Sequence, residues 1–222
     1  MNILVVYAHH EPTSLVGSLK NAAVSSLQAN GHEVTETDLY ALGFHPVANK
    51  YDFNTLSGAH FNYMLEQQGA SSKDWGYSPD IVEELQKLQS ADLVLFYMPV
   101  WWSGPPAILK GWLDRILCMG VAWDSGKIFE QGLYRNKRAM VVATTAASEE
   151  DYQPLGSYRA TMKQMLHSLH HATLAFCGFD VVEPFFVFSS MNRTGDDYAQ
   201  IIESHRAHVL LATDSPRYLS KY

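Results

Sequence analysis

The sequence is short of cysteine, of long apolar runs and of positive charge, and each shortage excludes a class of protein. Cys118 and Cys177 are the only cysteines in 222 residues, too few for a disulfide-stapled secreted domain. Both fall in apolar, helix-like stretches and read as reduced core residues. No apolar run approaches the ~20 residues that a membrane-spanning helix needs. Lys and Arg total 16 against 23 Asp and Glu, for a formal net charge of −7. Nucleic acid and anionic membrane surfaces are therefore not expected as main partners. The N-terminus runs straight into a strand, without a basic leader or cleavage site, which points to the cytoplasm. The first loop lacks G-x-G-x-x-G and the chain has no G-x-x-x-x-G-K-[ST], which disfavours a Rossmann nicotinamide site and a P-loop nucleotidase. Ser103-Gly104 sits in no G-x-S-x-G elbow, so hydrolase chemistry is a poor fit.

What the sequence does have is alternation. Hydrophobic residues make up 47% and charged residues 18%, the balance of a compact globular enzyme. Ile3 to Ala8 is a continuous apolar run, the mark of a strand buried on both faces of a parallel sheet. A helix capped by Thr13 or Ser14 follows, stopping at Asn30-Gly31. Val34 to Leu39 reads as a second strand. From Ala41 to about Tyr77 the chain is irregular, with short helices expected. Ser78-Pro79-Asp80 opens the next helix with a capping serine, a proline and an acid. Leu93–Met98 and Ala139–Thr145 read as strands, with a helix from Pro105 to Leu117 between them. A helix from about Ser157 to Phe176 closes at Gly178. Val181–Phe188 reads as the fifth strand, and a last helix spans about Asp196 to Ala212. No repeat or linker divides the chain, so a single domain over residues 1–222 is expected.

This pattern predicts an α/β fold: a doubly wound, five-stranded parallel sheet in the order 2-1-3-4-5, with helices on both faces. Ligands of such sheets bind at the carboxyl ends of the strands, where strands 1 and 3 diverge. Three loops meet there. AHHEPTS (8–14) brings His9 and the hydroxyls of Thr13 and Ser14 to a helix N-terminus, which suits phosphate, although either hydroxyl also serves as a plain cap. PVWWSG (99–104) offers two adjacent tryptophans, flat surfaces suited to an isoalloxazine or quinone ring or simply to covering a sheet edge. TTAASEEDY (144–152) offers hydroxyls, backbone donors and the phenol of Tyr152. His167, His170 and His171 share a helical spacing, but no carboxylate or cysteine completes a ligand set, so no metal is expected. Glu149-Glu150-Asp151 reads as a solvated turn.

The stretches YAHHEPTS (7–14), TDLYALGFHP (37–46), PVWWSGPPAILKGWLDR (99–115), TT (144–145) with Tyr152, and FCGFDVVEP (176–184) together resemble the NAD(P)H:quinone oxidoreductases of the DT-diaphorase type. The third stretch is the most specific. These are flavodoxin-like flavoenzymes, and the resemblance implies FAD rather than FMN, with NADH or NADPH as co-substrate. It implies a ping-pong, two-electron reduction of quinones, with azo and nitro compounds as further acceptors. Carried over by position, His9, Thr13 and Ser14 would hold the pyrophosphate region, with Leu15 and Ser18 along the same helix start. Pro99, Val100, Trp101, Trp102 and Ser103 would line the isoalloxazine, and Thr144, Thr145, Ala146 and Ala147 would meet its polar edge. The resemblance also implies a homodimer with shared active sites. Asn62 and Tyr63 would then reach the partner's adenine, and Trp123 and Phe176 would close its substrate pocket beside Trp102.

Departures accompany the match. Ala146-Ala147 replace a usual glycine pair, and Val16 replaces a polar residue. Tyr158 stands where the family's Tyr-His pair has its histidine, so Tyr152 and Tyr158 are the catalytic candidates. Tyrosine, with an ordinary pKa of ~10, is a poorer proton shuttle at neutral pH than imidazole. Trp102 sits at the position that relatives keep aromatic, whereas Trp101 replaces a residue that need not be. The alternative function is an ancillary regulatory subunit of a potassium efflux system with weak reductase activity. A flavodoxin-like one-electron carrier is a third reading, against which the adenine-side segment and the tryptophan-lined pocket argue.

Overall fold

The structure is a computed structural model that describes residues 1–58, 60–72, 75–191 and 193–214. Its centre is a parallel sheet. β1 (Asn2–Tyr7) pairs with β2 (Glu33–Asp38) on one side and β3 (Leu93–Pro99) on the other, and β4 (Arg138–Thr144) continues beyond β3. The order is β2-β1-β3-β4-β5, the expected one.

The last expected strand is two pieces. β5 (Asp180–Val181) and β6 (Phe185–Val187) both pair with β4, and Pro184 lies between them. Proline has no N–H to donate to a ladder, so the pairing breaks where it stands.

Alternate residues of β1 feed two separate cores, as the two-residue period of a strand requires. Leu4 and Val6 join α3 (Pro79–Ser90) and α4 (Ala107–Ile116) through Ile81, Leu85, Leu109 and Trp112. Ile3, Val5 and Tyr7 join α1 (Leu15–Ala29) and α7 (Gly195–Asp214) through Leu19, Leu27 and Val209. Helices thus cover both faces. Cys118 and Cys177 are free and buried. They lie just beyond the ends of α4 and of the later helical run rather than within them.

Two helix readings need correction. The expected helix from Ser157 starts instead at Met162, where Thr161 and Gln164 form a capping box. It then breaks into α5 (Met162–Met165), α6 (His167–Leu169) and a π-helical turn, His170–Ala175. The turn is wide because the Phe176 N–H reaches back five residues to the His171 carbonyl. Ser78 occupies the N-cap of α3, but its hydroxyl donates to the Asp80 carboxylate rather than accepting a backbone N–H.

The irregular segment after β2 contains α2 (Tyr63–Ser71) and is tied down by one buried arginine. The Arg115 guanidinium, 3% exposed, meets both oxygens of buried Asp52 at 2.9 and 3.2 Å. It also donates to the His45 carbonyl at 2.9 Å and pairs with Asp80 at 2.8 Å. Tyr63 adds its hydroxyl to Asp52 at 2.6 Å. A buried charge survives only with such full pairing. No helix among the described residues is long and apolar enough to cross a membrane.

Candidate active site

The loops that leave β1, β3 and β4 meet at one edge of the sheet. In the first, the turn of α1 packs close: a Cβ on Gly17 would stand 2.3 Å from the Pro12 carbonyl oxygen, so only glycine fits. Ser14 is the actual cap, accepting from the Gly17 N–H at 3.2 Å. The Tyr7 hydroxyl lies 3.3 Å from it. Thr13 is not a cap. Its N–H and hydroxyl both donate to the Glu11 carboxylate, at 2.9 and 2.6 Å. These bonds hold the Glu11 carboxyl below its usual range. Leu15 and Ser18 lie half-buried in the first turn of α1, while Val16 is packed into the core.

His9 accepts from the Glu11 N–H at 2.9 Å and stacks on His10 at 4.7 Å. Burial first, and then neighbouring His10, lower the His9 pKa. His10 in turn approaches Tyr40 and Trp101, both at 6.0 Å. Neither His10 nor Tyr40 is assigned a role by the sequence, because their meeting depends on how the ends of β1 and β2 are juxtaposed.

The second loop is a tight hairpin. Trp101 and Gly104 exchange both backbone hydrogen bonds, at 3.0 and 3.1 Å. Trp102 and Ser103 between them take φ values of +48° and +60°. Two left-handed central residues make a type I′ turn, which favours Asn-Gly. A tryptophan there costs roughly 1–2 kcal/mol, and such strain tends to gather at functional sites. Trp101 is 40% exposed and lies 6.3 Å from His9, whereas Trp102 is fully exposed. Pro99 is buried at the end of β3, and the Val100 N–H donates to the Thr144 carbonyl at 2.9 Å, joining the second loop to the third.

In the third loop, Thr144 and Thr145 are buried, Ala146 is exposed and Ala147 is half-buried. Tyr152, 4% exposed, places its hydroxyl 3.1 Å from the Thr145 hydroxyl. Tyr158 stacks on it with ring centres 4.6 Å apart. Burial pushes the Tyr152 phenol above its ordinary pKa. The Thr145 hydrogen bond opposes this, and Tyr158 reinforces it.

Asn62, Tyr63, Trp123 and Phe176 lie elsewhere. Tyr63, Trp123 and Phe176 line an apolar groove of about 500 Å³ with Met64, Leu113 and Leu117. Trp123 meets Phe176 edge-on at 5.5 Å. Asn62 caps α2, accepting from the Leu65 N–H at 3.3 Å, beside exposed Phe61, Met64 and Leu65. The groove and the three loops share no lining residue from the expected site. His167 and His171 stack at 4.8 Å, while His170 is buried between α6 and β6 with neither ring nitrogen hydrogen-bonded.

The family profile for the flavodoxin-like fold matches residues 1–210. The human ribosyldihydronicotinamide dehydrogenase [quinone] is 43% identical over 189 residues, covering 84% of this chain and 81% of that protein. The rat NAD(P)H dehydrogenase [quinone] 1 is 37% identical over 220 residues, covering 98% and 80%. The chain belongs to the flavodoxin-like NAD(P)H:quinone oxidoreductase family. A solved family member, a candidate quinone reductase from Klebsiella pneumoniae, superposes with a TM-score of 0.92 at 31% identity over 98% of this chain and 86% of its own. Within this family frame, the three loops and the groove are the two parts whose roles remain to be assigned.

Proposed function

We propose that the protein is an FAD-dependent quinone reductase that takes electrons from NADH or NADPH and returns them in pairs to quinones by a ping-pong route. Azo and nitro compounds are expected as slower acceptors. The observation that carries this reading is the meeting of the three loops, with Trp101 beside the His9-His10 stack and Val100 bonded to Thr144. The curated relatives at 37% and 43% identity are named as enzymes, which favours catalysis over the regulatory-subunit alternative.

The residues present fit a flavin. The start of α1 offers a positive dipole end to a pyrophosphate, with His9, Ser14, Leu15 and Ser18 around it. Thr13 joins that set only by releasing Glu11. Pro99, Val100, Trp101, Trp102 and Ser103 supply the flat wall. Thr144, Thr145, Ala146 and Ala147 supply the polar edge. When bound, the flavin supplies the hydride and two-electron chemistry.

The chain's part is binding, orientation and charge. A phenol of ordinary pKa, ~10, already keeps its proton at neutral pH, and burial pushes that of Tyr152 higher, so it can donate a hydrogen bond to negative charge at the flavin's polar edge. Tyr158, stacked on the Tyr152 ring, widens the aromatic wall in place of a histidine. One flat surface serves donor and acceptor in turn, so acceptor specificity is loose.

The groove completes the site in a homodimer. Trp123 and Phe176 of one copy cover the flavin loops of the other, while Asn62 and Tyr63 approach the adenine. Exposed Phe61, Met64 and Leu65 mark the surface that such a contact would bury. The protein acts in the cytoplasm as a single flavodoxin-like domain.

The test is direct. Purified, flavin-loaded protein is given NADH, NADPH or ribosyl dihydronicotinamide with benzoquinone or menadione, and the flavin it releases is identified. Oxidation of a reduced nicotinamide coupled to quinone is expected, with FAD released. No turnover with any donor refutes the reading, and release of FMN refutes its cofactor.

A further inference from the structure

The acidic turn before Tyr152 looks solvated in the sequence, yet one of its carboxylates is fully engaged. Asp151 Oδ2 accepts from the Ser148 N–H at 3.0 Å and the Ser148 hydroxyl at 2.7 Å. Its Oδ1 accepts from the Ser157 hydroxyl at 2.6 Å. Its main-chain carbonyl accepts from the Tyr158 N–H at 3.0 Å. One residue therefore gathers the start of the loop, at Ser148, and its end, at Ser157 and Tyr158. Hydrogen bonds to a carboxylate favour its charged form, and the Asp151 carboxyl is held below its usual range, first by Ser157 and then by Ser148.

The closure is tight. A Cβ at Gly156 would stand 2.2 Å from the Glu150 carbonyl oxygen and 2.5 Å from that of Asp151, so the returning strand of the loop can pass only as glycine. Arg159, just beyond, takes φ +54°. Glu149 and Glu150, neighbours of the same charge, are exposed and hold no comparable contacts among the described hydrogen bonds. What the closure sets is the separation of two rings. Tyr152 is anchored on Thr145, and Tyr158 arrives through the bond to Asp151 and stacks on it at 4.6 Å with an interplanar angle of 24°.

We propose that Asp151 is a positioning residue that closes the 148–158 loop and thereby holds Tyr158 stacked on Tyr152 as a wall of the acceptor site. The role rests on the quinone-reductase reading for its effect on turnover, but not for the closure itself. Nothing in the sequence separates Asp151 from the two glutamates before it. The loop's path does so, bringing two serine hydroxyls, three residues before and six after, onto one carboxylate.

Steady-state kinetics and limited proteolysis of the flavin-loaded protein test it together. Asp151→Ala is expected to raise the menadione KM about tenfold while kcat stays within about threefold, because a wall that moves away loses contacts the acceptor makes equally in its ground and transition states. Asp151→Asn keeps an acceptor oxygen and should recover most of that loss. Glu150→Gln should match the wild type. Tryptic cleavage after Arg159, followed by mass spectrometry, should speed up in Asp151→Ala by about tenfold, since cleavage tracks local opening. If Asp151→Ala does not fold, Ser157→Ala removes a single bond and takes its place. A menadione KM and a cleavage rate both matching Glu150→Gln would overturn the proposal. A wild-type protein inactive with every quinone would refute the reductase reading instead, and the cleavage rates alone would then decide whether Asp151 closes the loop.

Discussion

The loop edge and the apolar groove both present aromatic rings to solvent, but they are held in opposite ways. Side-chain ties at the loops are local: Glu11 to Thr13, Ser14 to Gly17, Ser148 and Ser157 to Asp151, Tyr152 to Thr145, none spanning more than seven residues. Around the groove, beside short ties such as Trp123 to Leu117, several are long. Gln67 reaches the Asp114 carbonyl across 47 residues, Gln68 reaches Asp124 across 56, and Arg115 reaches Asp52 across 63 and His45 across 70. Local ties shape a surface that the sheet already supports. Long ties are part of what makes the chain fold at all, since they offset the closure entropy of large loops. Damage at the groove should therefore appear as lost stability, and damage at the loops as lost binding.

Arg115→Ala tests the groove side hardest. It leaves Asp52 buried without its partner, which should cost about 3–5 kcal/mol, read as a lowered urea midpoint. A loss well under that figure would mean the long ties are dispensable.

Acid should act on the groove next, through His170 behind the helical run that carries Phe176. Its ring is buried without a hydrogen-bonding partner, and burial, with Lys163 and His167 adding to it and Glu183 opposing, lowers its pKa to about 4. Below the unfolded pKa of ~6.5 the unfolded chain gains a proton that the folded chain refuses. Stability contributed by neutral His170 is thus complete above that pH and declines down to about pH 4, by roughly 3 kcal/mol over the window. His205, on the opposite face of the sheet and lowered to about 3 by burial, adds a loss of the same sign. His170→Leu should flatten the pH dependence of the urea midpoint between pH 6.5 and 4. An unchanged slope would show that the ring is not the source.

At the loops, Trp102→Ala is expected to weaken flavin or acceptor binding about tenfold, or ~1.4 kcal/mol, with the urea midpoint nearly unmoved. Trp101→Ala should do less to acceptor binding, although its ring packs beside His9 and His10. Flavin fluorescence titration measures both. Equal and negligible effects would return the pair to a covering role. A smaller effect, on stability, is expected of Trp102→Gly, which relieves a left-handed φ and should stabilise the protein by up to ~1 kcal/mol while binding falls as in the alanine variant. Stability and binding moving together there would erase the contrast between the two regions.

Much of this was legible from residues alone, and the limits follow the same division. Apolar runs and their spacing carried the strands and the alternating helices, because burial of a parallel strand on two sides demands such runs, and the strand order was the commoner one for five such strands. The switch-point rule then placed the three loops without coordinates. The T-x-x-Q box at Thr161 was also present as a signal, and it marks the helix start better than Ser157 did. The Pro184 interruption of the last strand was readable in the same way.

Other features were not readable, because each depends on a backbone path that residue types and spacing do not fix. The sequence by itself determined the fold class, the strand ends at which three loops meet and the residue types those loops carry, since these follow from periodicity and from residue types at strand ends. Only the tertiary structure decided that Glu11 engages Thr13, that Trp102 stands strained and fully exposed while Trp101 lies beside His9 and His10, and that Asp151, still half-exposed, ties both ends of its loop. The groove of Tyr63, Trp123 and Phe176 also belongs to that second group. Its walls come from three stretches far apart in the chain, and no local pattern encodes their meeting.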